Sequence, residues 1–257
     1  MKLSSDASRH AARHLLPRRI RSVMHELRGG FIAGVGDEYT HYLRQFCGLR
    51  PHHRILDIGC GTGRMAVPLS RYLRSGSYIG IDTQRWAIWF SRMRVLLRQK
   101  NAHFQHIDVQ NGLYAPKKKG QVSPFRLPFH DGSFDCVLLA SVFTHMLPET
   151  IDSYVREIER ILVPGGACLA TFFVMNEEAL RYTTEGKSSQ PFVSWRNAYA
   201  VDRDCPERAV AYPPETIRLL CEQGCLKMEE PIRWGFWCGR QSGVSYQDLV
   251  ILRKKEV

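Results

Sequence analysis

The chain has 257 residues, a formal net charge of +11, 44% hydrophobic and 24% charged residues, a composition that suits a globular protein with one sizeable core. The longest apolar run, "CVLLASVF", is strand-sized and far short of the ~20 residues of a membrane span. No apolar segment follows the charged start, so neither a spanning helix nor a secretory signal is expected.

In chain order, residues 1–30 read as a basic, partly helical arm that ends at Gly29-Gly30, and a short helix is predicted over Asp37–Phe46. An alternation follows. "RILDIG" reads as a strand, "GRMAVPLSRYL" as a helix, "YIGID" as a strand, "AIWFSRMRVLLRQK" as a helix and "HFQHIDV" as a strand. Residues 110–133 carry no period and read as a loop. "FDCVLLAS", "PETIDSYVREIERIL" and "ACLATFFV" then give strand, helix and strand. Residues 176–213 are mixed and aromatic-bearing, and no element is predicted there. "PPETIRLLCEQG" reads as a helix, and "LKMEEPI" and "YQDLVILRK" as two final strands. Strands alternating with helices of 10–15 residues predict an α/β fold: a Rossmann-like, doubly wound sheet, mostly parallel with an antiparallel last strand, and helices on both faces. The expected organisation is a basic arm over 1–30 and one domain over 31–257 with an insertion at 176–213.

The eight cysteines are scattered, with no CxxC pair. Cys221 and Cys225 stand one helical turn apart. Free thiols in a reducing compartment are the expectation, and no metal site is expected.

The stretch "ILDIGCGTGRMAVPL" puts Gly59, Gly61 and Gly63 at alternate positions after an apolar run that ends in Asp57. A dinucleotide fingerprint counted from Gly59 would need its third glycine where Arg64 stands. The spacing is instead DxGxGxG, on a loop that follows the first strand, where open parallel sheets bind ligands.

This stretch resembles the first motif of the class I S-adenosylmethionine-dependent methyltransferases. Asp82, which ends "YIGID", resembles that family's second motif, whose acid accepts from the ribose hydroxyls of the cofactor. Asp108 in "HIDV" resembles the third, which contacts the adenine. "LPFHDGSFDCVLLASVFTHM" and "EIERILVPGGACLATFF" resemble the segments around the fourth and fifth strands. The resemblance covers residues 40–174 well and the rest loosely. It implies S-adenosylmethionine as cofactor, S-adenosylhomocysteine as product, and a cofactor-binding set of Asp57, Gly59, Cys60, Gly61, Gly63, Asp82, Thr83, Asp108, Val109, Ala140 and Ser141. The implied reaction is an in-line displacement, for which the protein holds the acceptor close and excludes water.

The acceptor is less legible. The Asn/Asp-Pro-Pro-aromatic run of many amino-group methyltransferases is replaced by "ASVFTHM" at Ala140–Met146, and neither a Pro-Cys dipeptide nor a CxxxCxxC triad is present. The late segment "WGFWCGRQSGVSYQD" resembles bacterial methyltransferases of glycan, glycolipid and secondary-metabolite pathways, which implies a small-molecule or sugar acceptor methylated at oxygen. His145 follows strand four and is the candidate general base, with a turn-forming role as its alternative. Tyr39, His41 and Tyr42 could face the acceptor, although Tyr42 and Phe46 share a helical face suited to packing. Arg240 could grip a carboxylate or phosphate. Phe192, Trp195, Tyr199 and Tyr212 would line an acceptor pocket or merely cap the sheet.

Two segments hold most of the excess charge. Residues 1–28 carry seven basic residues against Asp6 and Glu26, and residues 115–130 carry Lys117, Lys118, Lys119 and Arg126 with no acid. They read as solvated surface, as a guide for an acidic or lipid-linked acceptor, or as contacts with an anionic membrane surface; the arm mixes Leu15, Leu16, Ile20, Val23, Met24 and Leu27 with its arginines. The expected localisation is cytoplasmic, with peripheral contact at the inner membrane surface as a variant. An RNA methyltransferase using these segments for phosphate contacts is the competing reading, and a cofactor-binding protein without transfer activity is the third.

Overall fold

The computed structural model describes residues 34–95, 100–108, 126–222 and 224–256. The basic arm, the lysine run 117–119 and Val109 lie outside the described residues.

Helix α1 (Val35–Cys47) leads into β1 (Arg54–Ile58), α2 (Ala66–Tyr72), β2 (Ser77–Asp82), α3 (Arg85–Val95) and β3 (Ala102–His106). The chain then returns to the centre as β4 (Phe134–Leu139), α4 (Pro148–Ile161) and β5 (Leu162–Val174). These strands stand in the order β3-β2-β1-β4-β5, and all four neighbouring pairs are parallel. The order reverses between β1 and β4, so the crevice of an open α/β sheet lies at their carboxyl ends. The two final strands are antiparallel additions: β10 (Asp248–Lys254) pairs with β5, and β9 (Leu226–Arg233) with β10. The predicted alternation and the antiparallel ending are both present.

Side-chain spacing explains the helices. In α4, Pro148 starts the helix, where its missing N–H costs nothing, and Ile151, Tyr154, Val155, Ile158 and Ile161 form one buried stripe. Each such side chain contributes ~1.5–3 kcal/mol relative to exposure. In α1 the stripe is Tyr39, Tyr42, Leu43 and Cys47, and the helix stops at Gly48, which is left-handed at φ 65°. The stripes of α4 and of α6 (Pro214–Cys221) pack with Leu56, Val137, Cys168 and Val250 on one face of the sheet. Those of α1, α2 and α3 pack with Ile55, Cys136, Leu169 and Ile251 on the other. Helices therefore cover both faces. All eight cysteines are free thiols, most of them buried. Cys221 ends α6, so Cys225 does not stack on it in one helix.

The segment 176–213 is more structured than its pattern suggests. It forms α5 (Glu177–Thr184), then β6 (Val193–Trp195), β7 (Ala198–Ala200) and β8 (Val210–Tyr212). Three-residue strands are too short to show a period. The start of α5 did carry a signal: Asn176 accepts from the Ala179 N–H at 2.9 Å, and Glu177 and Glu178 fill the first turn. β8 pairs with Phe173 and Val174 of β5. The Val174 N–H donates to Asp248 on the β10 side at 2.8 Å, and the next N–H, that of Met175, donates to the Tyr212 carbonyl at 2.8 Å. Successive N–H groups of a strand point to opposite edges. β8 therefore continues the β4 side of β5, beyond the carboxyl end of β4. Among the described residues no helix is long and apolar enough to cross a membrane.

Candidate functional site

At the end of β1 the N–H groups of Gly59 and Cys60 both donate to the Ile81 carbonyl, at 2.8 and 3.1 Å, and the chain turns over the end of β2. Gly59, Gly61 and Gly63 all adopt left-handed backbone, at φ 74°, 52° and 74°, a region that glycine enters without steric cost. A Cβ on Gly59 would lie 2.6 Å from the Val142 side chain, so the loop also needs glycine to fit against the turn after β4.

Asp82 organises this loop from the neighbouring strand. Its Oδ2 accepts from the Gly61 N–H at 2.9 Å and its Oδ1 from the Gln84 N–H at 2.8 Å. The residue is only 9% exposed. Burial pushes its pKa up, against the N–H groups of Gln84, Gly61 and Thr83 and the His106 ring, which pull it down. From α3 the Ser91 hydroxyl donates to the Gly61 carbonyl at 2.8 Å, and the His106 Nε2 donates to the Thr83 carbonyl at 3.1 Å. Ser91, Gln84 and His106 escape sequence reasoning because only the folded loop gives them partners. Gln84 alone left a trace, two residues after an Asp at a strand end, the spacing of an Asx turn.

The remaining first-motif residues lie lower. Asp57 is fully buried beneath the loop and accepts from the Tyr78 hydroxyl at 2.6 Å. Burial raises its pKa to about 7, with the Tyr78 hydrogen bond and the Arg64 charge opposing. Cys60 is buried, its Sγ 3.8 Å from the Gly61 carbonyl. Asp108, beyond β3, is half exposed, with its Oδ1 3.8 Å from His106 Nε2.

At the end of β4, Ala140 is buried and Ser141 takes φ 62°. A non-glycine residue there costs about 1–3 kcal/mol and marks a strained turn. Hydrogen bonds hold it. The Ser141 N–H donates to Thr171 Oγ1 at 2.8 Å, and the Ser141 hydroxyl donates to Gln247 Oε1 at 2.9 Å. His145 follows in the 3-10 turn Phe143–His145, its Nδ1 3.0 Å from the Glu207 carbonyl. A carbonyl only accepts, so Nδ1 carries a proton. Burial lowers the pKa of this imidazole. His145 thus links the turn after β4 to the 3-10 turn Pro206–Arg208 of the insertion.

The candidate acceptor residues separate. Tyr39 and Tyr42 are buried, and Tyr42 stacks on Phe46 at 5.9 Å and donates to the Val244 carbonyl; His41 is exposed. Tyr212 is fully buried, donating to the Met146 carbonyl at 2.6 Å, and Phe192 packs against Phe173 and Trp237. Trp195 and Tyr199 are half-buried. Arg240 is committed to internal partners. Its guanidinium is 7% exposed and bonds Glu178 at 2.6 Å, Asn176 Oδ1 at 3.0 Å and the Gly235 carbonyl at 3.0 Å. It also stacks on Trp234 and lies beside the fully buried Asp248. Asp248, raised to about 6 by burial, accepts from Val174, Gly235 and the Trp237 indole. This internal ion pair ties the insertion to β5 and β10.

Bare left-handed backbone beside a buried carboxylate at the next strand end fits a ligand that carries vicinal hydroxyls, as S-adenosylmethionine does. Comparison with known proteins agrees. Residues 56–170 match the family described as "Methyltransferase domain". Over 211 residues, 80% of this chain and 74% of the relative, the chain is 26% identical to the ubiquinone/menaquinone biosynthesis C-methyltransferase UbiE of Cellvibrio japonicus. Over 118 residues it is 33% identical to the fatty-acid O-methyltransferase of Mycolicibacterium smegmatis, covering 46% of this chain and 36% of that one. Among solved structures, a SAM-dependent methyltransferase of Methanosarcina mazei superposes with a TM-score of 0.54 at 20% identity, over 81% of this chain and 95% of that one. The 1,6-didemethyltoxoflavin-N1-methyltransferase of Burkholderia thailandensis superposes with a TM-score of 0.56 at 14% identity, over 100% and 93%. The sheet order, the glycine loop with its strand-end carboxylate and the matched span agree: residues 56–170 are similar to a methyltransferase domain, and the fold is the one that S-adenosylmethionine-dependent methyltransferases adopt.

Proposed function

We propose that the protein transfers a methyl group from S-adenosylmethionine to an oxygen of a small, lipid-like or lipid-linked acceptor. The observation that carries the acceptor class is the likeness over the cofactor domain to a quinone methyltransferase and a fatty-acid O-methyltransferase. Both relatives are named for apolar small molecules, and this favours a lipid-like acceptor over a bare sugar.

Bound S-adenosylmethionine supplies a methyl group already activated on a sulfonium. The chain's own residues bind, orient and shield. In this reading Gly59, Gly61 and Gly63 offer backbone to the cofactor, and Asp82 accepts from its ribose hydroxyls while fixing the loop through Gly61. Asp57 supports the loop from below, and Asp108 faces the adenine end. Ala140 and Ser141 form the wall between cofactor and acceptor. The insertion 176–213 closes the carboxyl end of β4, with His145 as its tether: the Nδ1 proton is held on Glu207, and burial keeps the ring neutral. Holding the acceptor near the methyl group and excluding water supplies most of the rate.

The test uses methyl-labelled S-adenosylmethionine with purified protein and host extract, separated into lipids, soluble sugars, RNA and protein. Label in the lipid fraction is the expected result. Label in RNA alone, falling steeply with salt, would replace this reading with nucleic-acid methylation. Cofactor binding without label in any fraction would leave a binding protein.

A further inference from the structure

Gln247 immediately precedes β10, level with the carboxyl end of β5, where its neighbour Asp248 pairs with Phe172. It is 7% exposed. Its Oε1 accepts from the Ser141 hydroxyl at 2.9 Å and from Thr171 Oγ1 at 2.7 Å. The Thr171 hydroxyl already accepts the Ser141 N–H at 2.8 Å, so its own hydrogen must find an acceptor. That requirement fixes the amide. Reversed, the NH2 would face two hydroxyls, one of them already occupied as an acceptor, and the Thr171 hydrogen would have no partner. With Oε1 turned inward, Nε2 is a donor that meets no acceptor among the described residues. The atom is not sealed in the core either, so the donor faces open space that an incoming group can enter.

The surroundings identify the use. Ser141 lies between two neighbours. The residue after it, Val142, packs on the glycine loop at Gly59, and its own hydroxyl faces Gln247. Gln247 is therefore on the far side of Ser141 from the cofactor loop. Helix α1 covers this corner, with Tyr42 bonded to the Val244 carbonyl and the Tyr39 hydroxyl to the Ser245 side chain.

We propose that Gln247 Nε2 donates to an oxygen of the methyl acceptor, and that Thr171 and Ser141 are positioning residues that lock the amide with its donor outward. The inference rests on the transfer reading above and narrows it. The acceptor must present a hydroxyl, phenolate, carboxylate or carbonyl oxygen beside the methylated atom; an ammonium or N–H group there would meet a donor.

Gln247→Glu is the sharpest test, because it keeps an oxygen for both hydroxyls and replaces only the donor by an acceptor. The probes are methyl-labelled S-adenosylmethionine and a dilution series of the extract fraction that the wild type labels. At pH 8 the apparent KM for that fraction rises at least tenfold, while S-adenosylmethionine affinity by calorimetry stays within twofold. Lowering the pH restores transfer in part, as a protonated carboxyl regains a donor. Thr171→Val lowers kcat/KM for the fraction with cofactor affinity unchanged, and Thr171→Ser restores it; this pair carries the test if Gln247→Glu unfolds. Unchanged acceptor KM in Gln247→Glu overturns the inference and leaves the transfer reading intact. A loss of cofactor affinity instead assigns Gln247 to the cofactor and overturns it equally. A wild type that labels no fraction removes both.

Discussion

Asp82→Asn separates the carboxylate's two duties. In the parent, one oxygen accepts from Gly61 at 2.9 Å and the other from Gln84 at 2.8 Å. The amide keeps one oxygen and points a donor at the other N–H, so one of two charge-assisted bonds is lost, worth about 1.5–3 kcal/mol. For a domain of this size that lowers Tm by roughly 3–12 °C. If Asp82 also accepts from the ribose, the variant loses a second interaction of the same kind, and the Kd for S-adenosylmethionine rises by about 10–100-fold. Calorimetric titration gives the affinity and thermal unfolding gives the stability. A fall in Tm as expected with unchanged cofactor affinity would refute the reasoning, reducing Asp82 to a brace for the glycine loop.

Two further changes probe the buried groups. Asp57 holds a proton up to about pH 7 in the folded protein, whereas an unfolded aspartate releases it near pH 4. The native state therefore binds more protons in that window, and stability falls as pH rises through it, by up to about 4 kcal/mol from this group. Asp57→Asn removes that slope, so chemical unfolding finds the variant gaining on the parent from pH 5 to pH 8; a difference independent of pH would contradict this. His145→Leu, which removes the Nδ1 donor to the Glu207 carbonyl, lowers stability by about 1–3 kcal/mol and leaves the pH–rate profile unchanged. A large fall in kcat with an altered profile and intact stability would instead make His145 the general base.

The sequence by itself determined the doubly wound sheet, because apolar runs of strand length alternating with amphipathic helices such as α4 have few other ways to bury their stripes. It also determined the glycine loop, because alternate glycines after the first strand are a local backbone requirement, legible without knowing any partner. What lay outside local pattern was decided by tertiary structure. Nothing near Arg240 in the chain reveals that Glu178 and Asn176, more than sixty residues earlier, occupy its guanidinium. Tyr212 and Phe192 look the same in sequence whether they line a pocket or fill a core, and packing alone assigns them to the core. The triad of Ser141, Thr171 and Gln247 has no sequence signature at all. It exists because β10 runs antiparallel beside β5, bringing Gln247 back to the carboxyl end of the sheet within hydrogen-bond reach of Ser141 and Thr171. Periodicity reports what each segment buries; only strand order and register report which distant residues share a site.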